Sequence, residues 1–129
     1  MTVTIASLTF DCADALLVGT FWSAAVGRPL DPKASADFAA IGFVGHRDAA
    51  GWAPVDPEQG PTWLFVRVPD PKTAKNRIHF DVAAADPEAE IARLLDLGAT
   101  RVTDIDEFGY RWTVMADPEG NEFCVAQGL

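Results

Sequence analysis

The spacing of apolar and polar residues along this chain predicts its strands and helices. Over residues 5–12, Leu8 and Phe10 alternate with polar side chains, which predicts a strand with one apolar face. The next segment predicts a helix with Asp14 as its N-cap and Gly27 as a left-handed C-cap. Its apolar residues form one stripe at helical spacing: Leu17, Val18, Phe21, Trp22 and Ala25.

The segment between residues 28 and 61 has the weakest pattern. Phe38–Val44 predicts a strand, whereas residues 46–61 are rich in proline and glycine and predict a loop with one short strand around Trp52. Alternation returns at Thr62–Val68, a run of β-branched and aromatic residues with a proline at each end. The first half therefore predicts strand, helix, strand, strand and strand.

The second half repeats this order. Ile78–Ala83 predicts a strand, and Asp86 followed by Pro87 predicts the start of a helix that ends at Gly98. Three more strands are predicted over residues 100–105, 110–116 and 122–126.

An internal repeat links the two halves. Leu8-Thr9-Phe10-Asp11 precedes the first helix, and Ile78-His79-Phe80-Asp81 precedes the second. Two tandem βαβββ modules of about residues 1–70 and 71–129 follow from this repeat. We expect them to form a single α+β domain.

The turn Asp117-Pro118-Glu119-Gly120-Asn121 lies between the last two predicted strands. Proline fixes one backbone angle, and glycine and asparagine accept the positive φ that tight turns need. With its apolar flanks, this run predicts a hairpin close to the end of the chain.

Composition and charge narrow the function classes. The 129 residues carry a net charge of −9, which disfavours nucleic acid and anionic membranes as partners. No apolar run approaches the roughly 18 residues of a membrane span, and no secretion signal is recognised. The two cysteines, Cys12 and Cys124, lack metal-finger spacing and fit a reduced cytoplasmic protein.

The order of elements, together with the Asp-Pro-Glu-Gly-Asn turn before the final strand, resembles the vicinal oxygen chelate superfamily. This superfamily includes glyoxalase I, extradiol dioxygenases and bleomycin-binding proteins. Residues 69–81, Pro-Asp-Pro-Lys-Thr-Ala-Lys-Asn-Arg-Ile-His-Phe-Asp, resemble its glyoxalase-like branch. The resemblance implies that the two βαβββ modules form a cupped mixed sheet around a central cleft. It also implies a small-molecule ligand and a homodimer.

The resemblance also implies where a metal-binding relative carries its ligands. The first-strand positions correspond to Ser7 and Arg77, and the final-strand glutamate corresponds to Cys124. A guanidinium stays protonated and has no lone pair to donate, so Arg77 cannot be a ligand. We therefore expect no cofactor and no metal at the usual positions, with His79 and Glu122 as an alternative pair of ligands for a divalent ion.

Strand alternation selects the candidate site residues. It places Arg77, His79 and Asp81 on one face, and Glu122 shares the orientation of Cys124. We expect Arg77 to hold an anionic group, His79 to act as acid or base, and Glu122 to complete the catalytic set. The predicted substrate-binding residues are Thr9, Asp11, Arg67, Trp63, Asp81 and Cys124.

Four of these residues also have a structural interpretation. His79 and Arg77 could belong to a buried hydrogen-bonded network, and Trp63 could belong to the sheet core. Cys124 could be a buried, unreactive cysteine. Two function hypotheses remain open at this point. One is a glyoxalase-like enzyme related to lyases, isomerases and dioxygenases, and the other is a non-catalytic protein that sequesters a drug-like compound.

Overall fold

A computed structural model describes residues 2–43 and 58–128 of the chain. The chain divides into two compact units, Met1–Pro71 (unit 1) and Lys72–Leu129 (unit 2). The described residues form two helices and seven strands: β1 Ser7–Cys12, α1 Ala15–Val26, β2 Phe38–Ile41, β3 Thr62–Arg67, β4 Phe80–Ala84, α2 Pro87–Asp96, β5 Thr100–Glu107, β6 Tyr110–Ala116 and β7 Glu122–Gln127.

Unit 1 contains a mixed sheet with the strand order β1-β3-β2 among its described residues. β1 pairs with β3 in parallel, and β2 pairs with β3 in antiparallel. The caps of α1 are those predicted, since the Asp14 side chain accepts from the Leu17 amide and Gly27 has a φ of 70°. β2 ends at Ile41 rather than at residue 44, and the strand predicted around Trp52 lies outside the described residues.

A glycine brings α1 close to its sheet. A Cβ atom on Gly19 would lie 3.1 Å from the Ala39 side chain and 3.2 Å from that of Phe65. The helix can therefore bury Val18 and Trp22 directly against the strands. These contacts give unit 1 an apolar core on the helix side of its sheet.

Unit 2 shows the complete βαβββ order. Its four strands lie in the order β4-β7-β6-β5, with β4 parallel to β7 and the other neighbours antiparallel. α2 packs on β4 and β7 and begins at Asp86, whose side chain accepts from the Ala89 amide. The helix ends at Asp96, with Leu97 as its cap and Gly98 following at a φ of 116°.

The internal repeat has the same structural meaning in both units. Phe10 and Asp11 pair with Phe65 and Val66, and the corresponding Phe80 and Asp81 pair with Phe123 and Cys124. In each unit, the strand before the helix thus joins the last strand of the unit in parallel. This pairing, with helices and mixed sheets, confirms the predicted α+β fold class.

Other sequence predictions stay predictions. They are the single domain, the homodimer and the cytoplasmic location. Neither described helix has the length and apolar character that crossing a membrane requires.

Candidate functional site

A cleft of about 440 Å³ opens on the sheet of unit 2. Four of its residues belong to β5, β6 and β7 and form an apolar wall, while the others come from β4, β7 and the segment before β4 and are polar or ionisable. The lining consists of Ile105, Trp112, Val114 and Cys124 on the apolar side and of Lys75, Asn76, His79, Asp81 and Glu122 on the polar side.

Strand alternation explains why these side chains share one face. Within β7, Phe123 and Val125 are buried on the side covered by α2, so Glu122 and Cys124 point to the opposite side. The register then places Asp81 of β4 beside Cys124. Asp81, Glu122 and Cys124, three of the predicted site residues, therefore lie on one face of the sheet.

Three groups of different chemistry meet at the polar end of the cleft. The Nε2 atom of His79 lies 3.7 Å from the Oδ1 atom of Asp81. A nitrogen of His79, a carboxylate oxygen of Asp81 and the sulfur of Cys124 all lie within 4.8 Å of one another. Cys124 is only 6% exposed, whereas the side chains of His79 and Asp81 are accessible to solvent.

The environment of Cys124 keeps its thiol protonated. Burial raises the pKa of the Cys124 thiol above its usual value. The carboxylate of Asp81 raises this pKa further through its charge and a hydrogen bond, and Glu122 adds to the effect, while the ammonium of Lys75 lowers it. A nucleophilic cysteine needs the opposite shift, so the metal-free thiol is a poor nucleophile.

This shift predicts slow alkylation of Cys124. In a Cys12→Ser variant, where Cys124 is the only thiol, we expect the iodoacetamide rate at pH 8 to be at least about tenfold below that of a cysteine peptide. The pKa of the Cys124 thiol is higher in the folded protein than in the unfolded protein. The contribution of the neutral thiol to the free energy of unfolding is therefore complete below the unfolded pKa, and it is lost as the pH rises through the folded pKa. Mass spectrometry between pH 7 and 10 measures the rate, and a peptide-like rate at pH 8 would contradict the shift.

A segment before β4 forms the rim of the cleft on the polar side. The Nζ atom of Lys75 lies 3.2 Å from a carboxylate oxygen of Glu122. The amide of Asn76 donates to the Asn121 side chain at 3.3 Å and accepts from the Glu122 backbone N–H at 3.0 Å. These hydrogen bonds attach the rim to the turn that precedes β7, and with it to the base of the cleft.

Comparison with protein families and solved structures identifies the family and the fold of this chain. A model described as the glyoxalase-like domain matches residues 7–126. The chain belongs to the glyoxalase-like domain family. This membership confirms the resemblance to the vicinal oxygen chelate superfamily. No curated protein sequence matches the chain.

Solved structures with the glyoxalase fold align over nearly the whole chain. A glyoxalase/bleomycin resistance/dioxygenase family enzyme from Burkholderia phytofirmans PsJN has a TM-score of 0.68 at 15% identity, covering 98% of this chain and 100% of its own. The bleomycin-binding protein from Streptomyces verticillus, solved with copper(II)-bleomycin, has a TM-score of 0.58 at 16% identity, with coverages of 100% and 99%. A glyoxalase-related enzyme from Fulvimarina pelagi has a TM-score of 0.65 at 12% identity, with coverages of 97% and 88%. Similarity at these identities shows the shared fold alone.

Arg77, the predicted anion-binding residue, does not line the unit-2 cleft. The strand predicted from Ile78 starts only at Phe80, so the alternation that placed Arg77 beside His79 does not extend to it. Its side chain is exposed in the segment before the strand. The predicted set of Arg77, His79 and Glu122 is therefore brought together only in part, by His79 and Glu122.

Two predicted residues of unit 1, Thr9 and Asp11, are exposed on β1. They alternate with Phe10, which packs against α1, so they lie on the sheet face opposite that helix. Arg67 has the other orientation, because it follows buried Phe65 by two residues. Its guanidinium lies 3.2 Å from the Asp37 carboxylate in an exposed ion pair.

Trp63 has the position of a core residue in unit 1. Its ring lies 5.7 Å from that of Phe10, in a stacked arrangement, and 5.5 Å from that of Trp22 on α1. These contacts place Trp63 on the helix side of the sheet, in agreement with the structural interpretation. Trp112, in contrast, lies in the cleft of unit 2.

The metal site that the superfamily implies does not fit the residues at its usual positions. Arg77 has no lone pair for a metal, and Cys124 replaces the final-strand carboxylate with a buried thiol. Ser7 offers only a neutral hydroxyl. No step of the proposed function is therefore assigned to a metal at these positions.

Sequence reasoning missed five of the described residues that line the cleft, namely Lys75, Asn76, Ile105, Trp112 and Val114. Ile105 and Val114 follow from strand register, since Ile105 pairs with Trp112 and Val114 pairs with Cys124. Cross-strand pairing is the signal that could have identified them, because the partner of a residue that faces the cleft, such as Cys124, lies on the same face of the sheet.

Proposed function

We propose that the unit-2 cleft binds a small planar organic molecule with a positively charged group. The flat part of the ligand would lie against Trp112, and its cation would face the carboxylates of Asp81 and Glu122. The observation that carries this proposal is the combination, in one cleft, of an aromatic apolar wall and an acidic rim.

The charges of the lining favour a cation over an anion. Among the described residues that line the cleft, two carry a carboxylate and one, Lys75, carries an ammonium, which is paired with Glu122. Arg77, the group expected to attract an anion, does not line the cleft. The net charge of −9 adds a long-range attraction for cations.

Shared fold with a bleomycin-binding protein supports a binding role. That protein from Streptomyces verticillus was solved with copper(II)-bleomycin. The raised pKa of Cys124 also argues for binding rather than thiol catalysis, because a protonated thiol supplies no nucleophile. The function that we propose is therefore sequestration of a cationic aromatic compound.

Three probes of one shape test the charge preference. 2-Naphthamidine, 2-naphthamide and 2-naphthoate are cationic, neutral and anionic, and all three carry the same flat ring. We expect the amidine to bind at least about tenfold more tightly than the naphthoate in low salt, with the amide between them, because one ion pair of about 1.4 kcal/mol gives a factor of ten. Calorimetric titration measures the three affinities.

Added salt and two variants provide the controls. The preference for the amidine should shrink at high ionic strength and in Asp81→Asn, whereas Asp106→Asn, an exposed position outside the cleft, should keep it. Equal affinities for amidine and naphthoate, or tighter binding of naphthoate, would rule out a cation-binding cleft.

A second function, a glyoxalase-like enzyme, is favoured by the position of His79. Its Nε2 atom lies 3.7 Å from Asp81, a carboxylate that can orient the imidazole. Such a pair can move a proton to or from a bound ligand. Family membership supports the same hypothesis.

Proton exchange distinguishes this enzyme from a binder. A ligand with an acidic C–H bond would exchange that hydrogen in D₂O at least about 100-fold faster with the wild type than with His79→Gln, as expected for loss of a general base. Proton NMR of the ligand follows the exchange. Tight binding without exchange would leave sequestration as the function.

A further inference from the structure

One side chain in the lining of the unit-2 cleft is itself a cation. The Nζ atom of Lys75 lies 3.2 Å from the Oε1 atom of Glu122, one of the two carboxylates in the described lining. We propose that Lys75 is a tethered competitor, a cation of the protein that occupies Glu122 until a cationic ligand displaces it. This proposal rests on the cation-binding function and assigns to Lys75 the selection of the ligands that bind.

The two members of this ion pair differ in how firmly they are held. Glu122 is the first residue of β7 and pairs with Ala116 of β6, so the sheet fixes its backbone. Its side chain is only 25% exposed, whereas that of Lys75 is 74% exposed. Lys75 can therefore leave the pair by rotation about the bonds of its long side chain, while the carboxylate stays in the cleft.

Asn76 keeps the lysine within reach of the carboxylate. Its side-chain oxygen accepts from the backbone N–H of Glu122 at 3.0 Å, and its side-chain amide donates to Asn121 at 3.3 Å. The residue that follows Lys75 is thus attached to the residue that carries the carboxylate. A displaced ammonium therefore stays near Glu122 at a high effective concentration, in roughly the millimolar range that short flexible tethers give.

A tethered competitor changes which ligands bind. A small cation that meets only the carboxylate exchanges one ion pair for another, and it competes with a group that cannot diffuse away. A ligand that also places a flat ring against Trp112 gains the burial of that ring in addition. Lys75 therefore disfavours simple ammonium ions and favours compounds that combine a cation with an aromatic surface.

Lys75→Met tests the tethered competitor, because methionine is also unbranched but carries no charge. In calorimetric titrations at low salt, the variant should bind 2-naphthamidine about three- to fivefold more tightly than the wild type does. This factor is near the upper range for exposed ion pairs, because Glu122 is half-buried. The neutral 2-naphthamide should bind to both proteins with affinities within about twofold, since it does not compete for the charge of Glu122.

Two further comparisons assign the effect to the ion pair. Lys72→Met makes the same change at an exposed lysine of the same segment, outside the described lining, and should alter naphthamidine affinity by less than about twofold. In a Glu122→Gln background, Lys75→Met should also have an effect below about twofold, because the ammonium has lost its charged partner there. Circular dichroism verifies that each variant is folded.

The tethered competitor and the cation-binding function can fail separately. Naphthamidine binding to the wild type without a gain of at least about threefold in Lys75→Met would reject the competitor and leave the cation-binding cleft in place. An equal gain for naphthamide, in Lys72→Met or in the Glu122→Gln background would also reject it, because the effect would not come from the Lys75–Glu122 pair. Absence of naphthamidine binding to both the wild type and Lys75→Met would reject the cation-binding function, and the competitor with it.

Discussion

Replacing Asp117 by alanine should lower the free energy of unfolding by about 3 kcal/mol. Asp117 is 3% exposed, and its Oδ1 atom accepts hydrogen bonds from the backbone N–H groups of Glu119 at 2.9 Å and Asn121 at 3.0 Å. The Asn121 side chain also donates to this carboxylate. Removal of one acceptor leaves several donors unpaired, and each costs about 1–3 kcal/mol when it is buried.

Urea unfolding followed by circular dichroism measures this loss. Asp117→Asn keeps the shape and one acceptor oxygen, so we expect a smaller loss than with alanine. Asp106→Ala, at an exposed position of the same sheet, should change stability by less than about 0.5 kcal/mol. A loss below about 1 kcal/mol in Asp117→Ala would show that the turn does not depend on this carboxylate.

Replacing Trp112 by alanine should weaken naphthamidine binding at least about tenfold. The half-buried indole forms the aromatic part of the cleft wall, between Ile105 and Val114. Stacking of two aromatic groups contributes about 0.5–1.5 kcal/mol beyond the apolar area that it buries. Loss of both contributions exceeds the roughly 1.4 kcal/mol that corresponds to a factor of ten.

Tyr110→Ala is the matched control for this experiment. Tyr110 belongs to the same strand and is exposed, but it does not line the cleft. Calorimetric titration of naphthamidine should therefore give the wild-type affinity for this variant. Equal losses in the two variants, or no loss in Trp112→Ala, would place the ligand elsewhere.

The sequence predicted much of the cleft because alternation holds inside a continuous strand. Glu122 and Cys124 lie in β7, so their shared orientation follows from their spacing alone. Alternation also selected Asp81, and the register of the structure places this residue beside Cys124. The strands and helices, and the face on which a side chain of a strand lies, were predictable because each depends on residues that are close in the chain.

Alternation did not predict the orientation of Arg77, which is absent from the described lining of the cleft, and its role in binding an anion stays a prediction. Alternation was extended three residues before the actual start of β4 at Phe80, where the backbone is no longer extended in a sheet. A side chain outside a strand has no fixed parity. Its orientation depends on tertiary contacts that a local pattern does not contain.

The rim of the cleft was not predictable from local patterns. Asn76 is 46 residues away from Glu122 in sequence, yet their hydrogen bond positions the segment that carries Lys75. In the sequence, this segment reads only as a polar connection. Ligand chemistry is harder still, because proteins with one fold bind different molecules through differences in a few side chains.

The position of bound naphthamidine tests the central claim most directly. ¹⁵N and ¹³C chemical shifts of the chelator-treated protein, recorded during a titration, should change at the Trp112 indole and at Ile105, Val114 and Cys124. The same titration with 2-naphthoate should produce much smaller changes. Shifts confined to other residues, or none at saturating naphthamidine, would contradict a cation-binding cleft in unit 2.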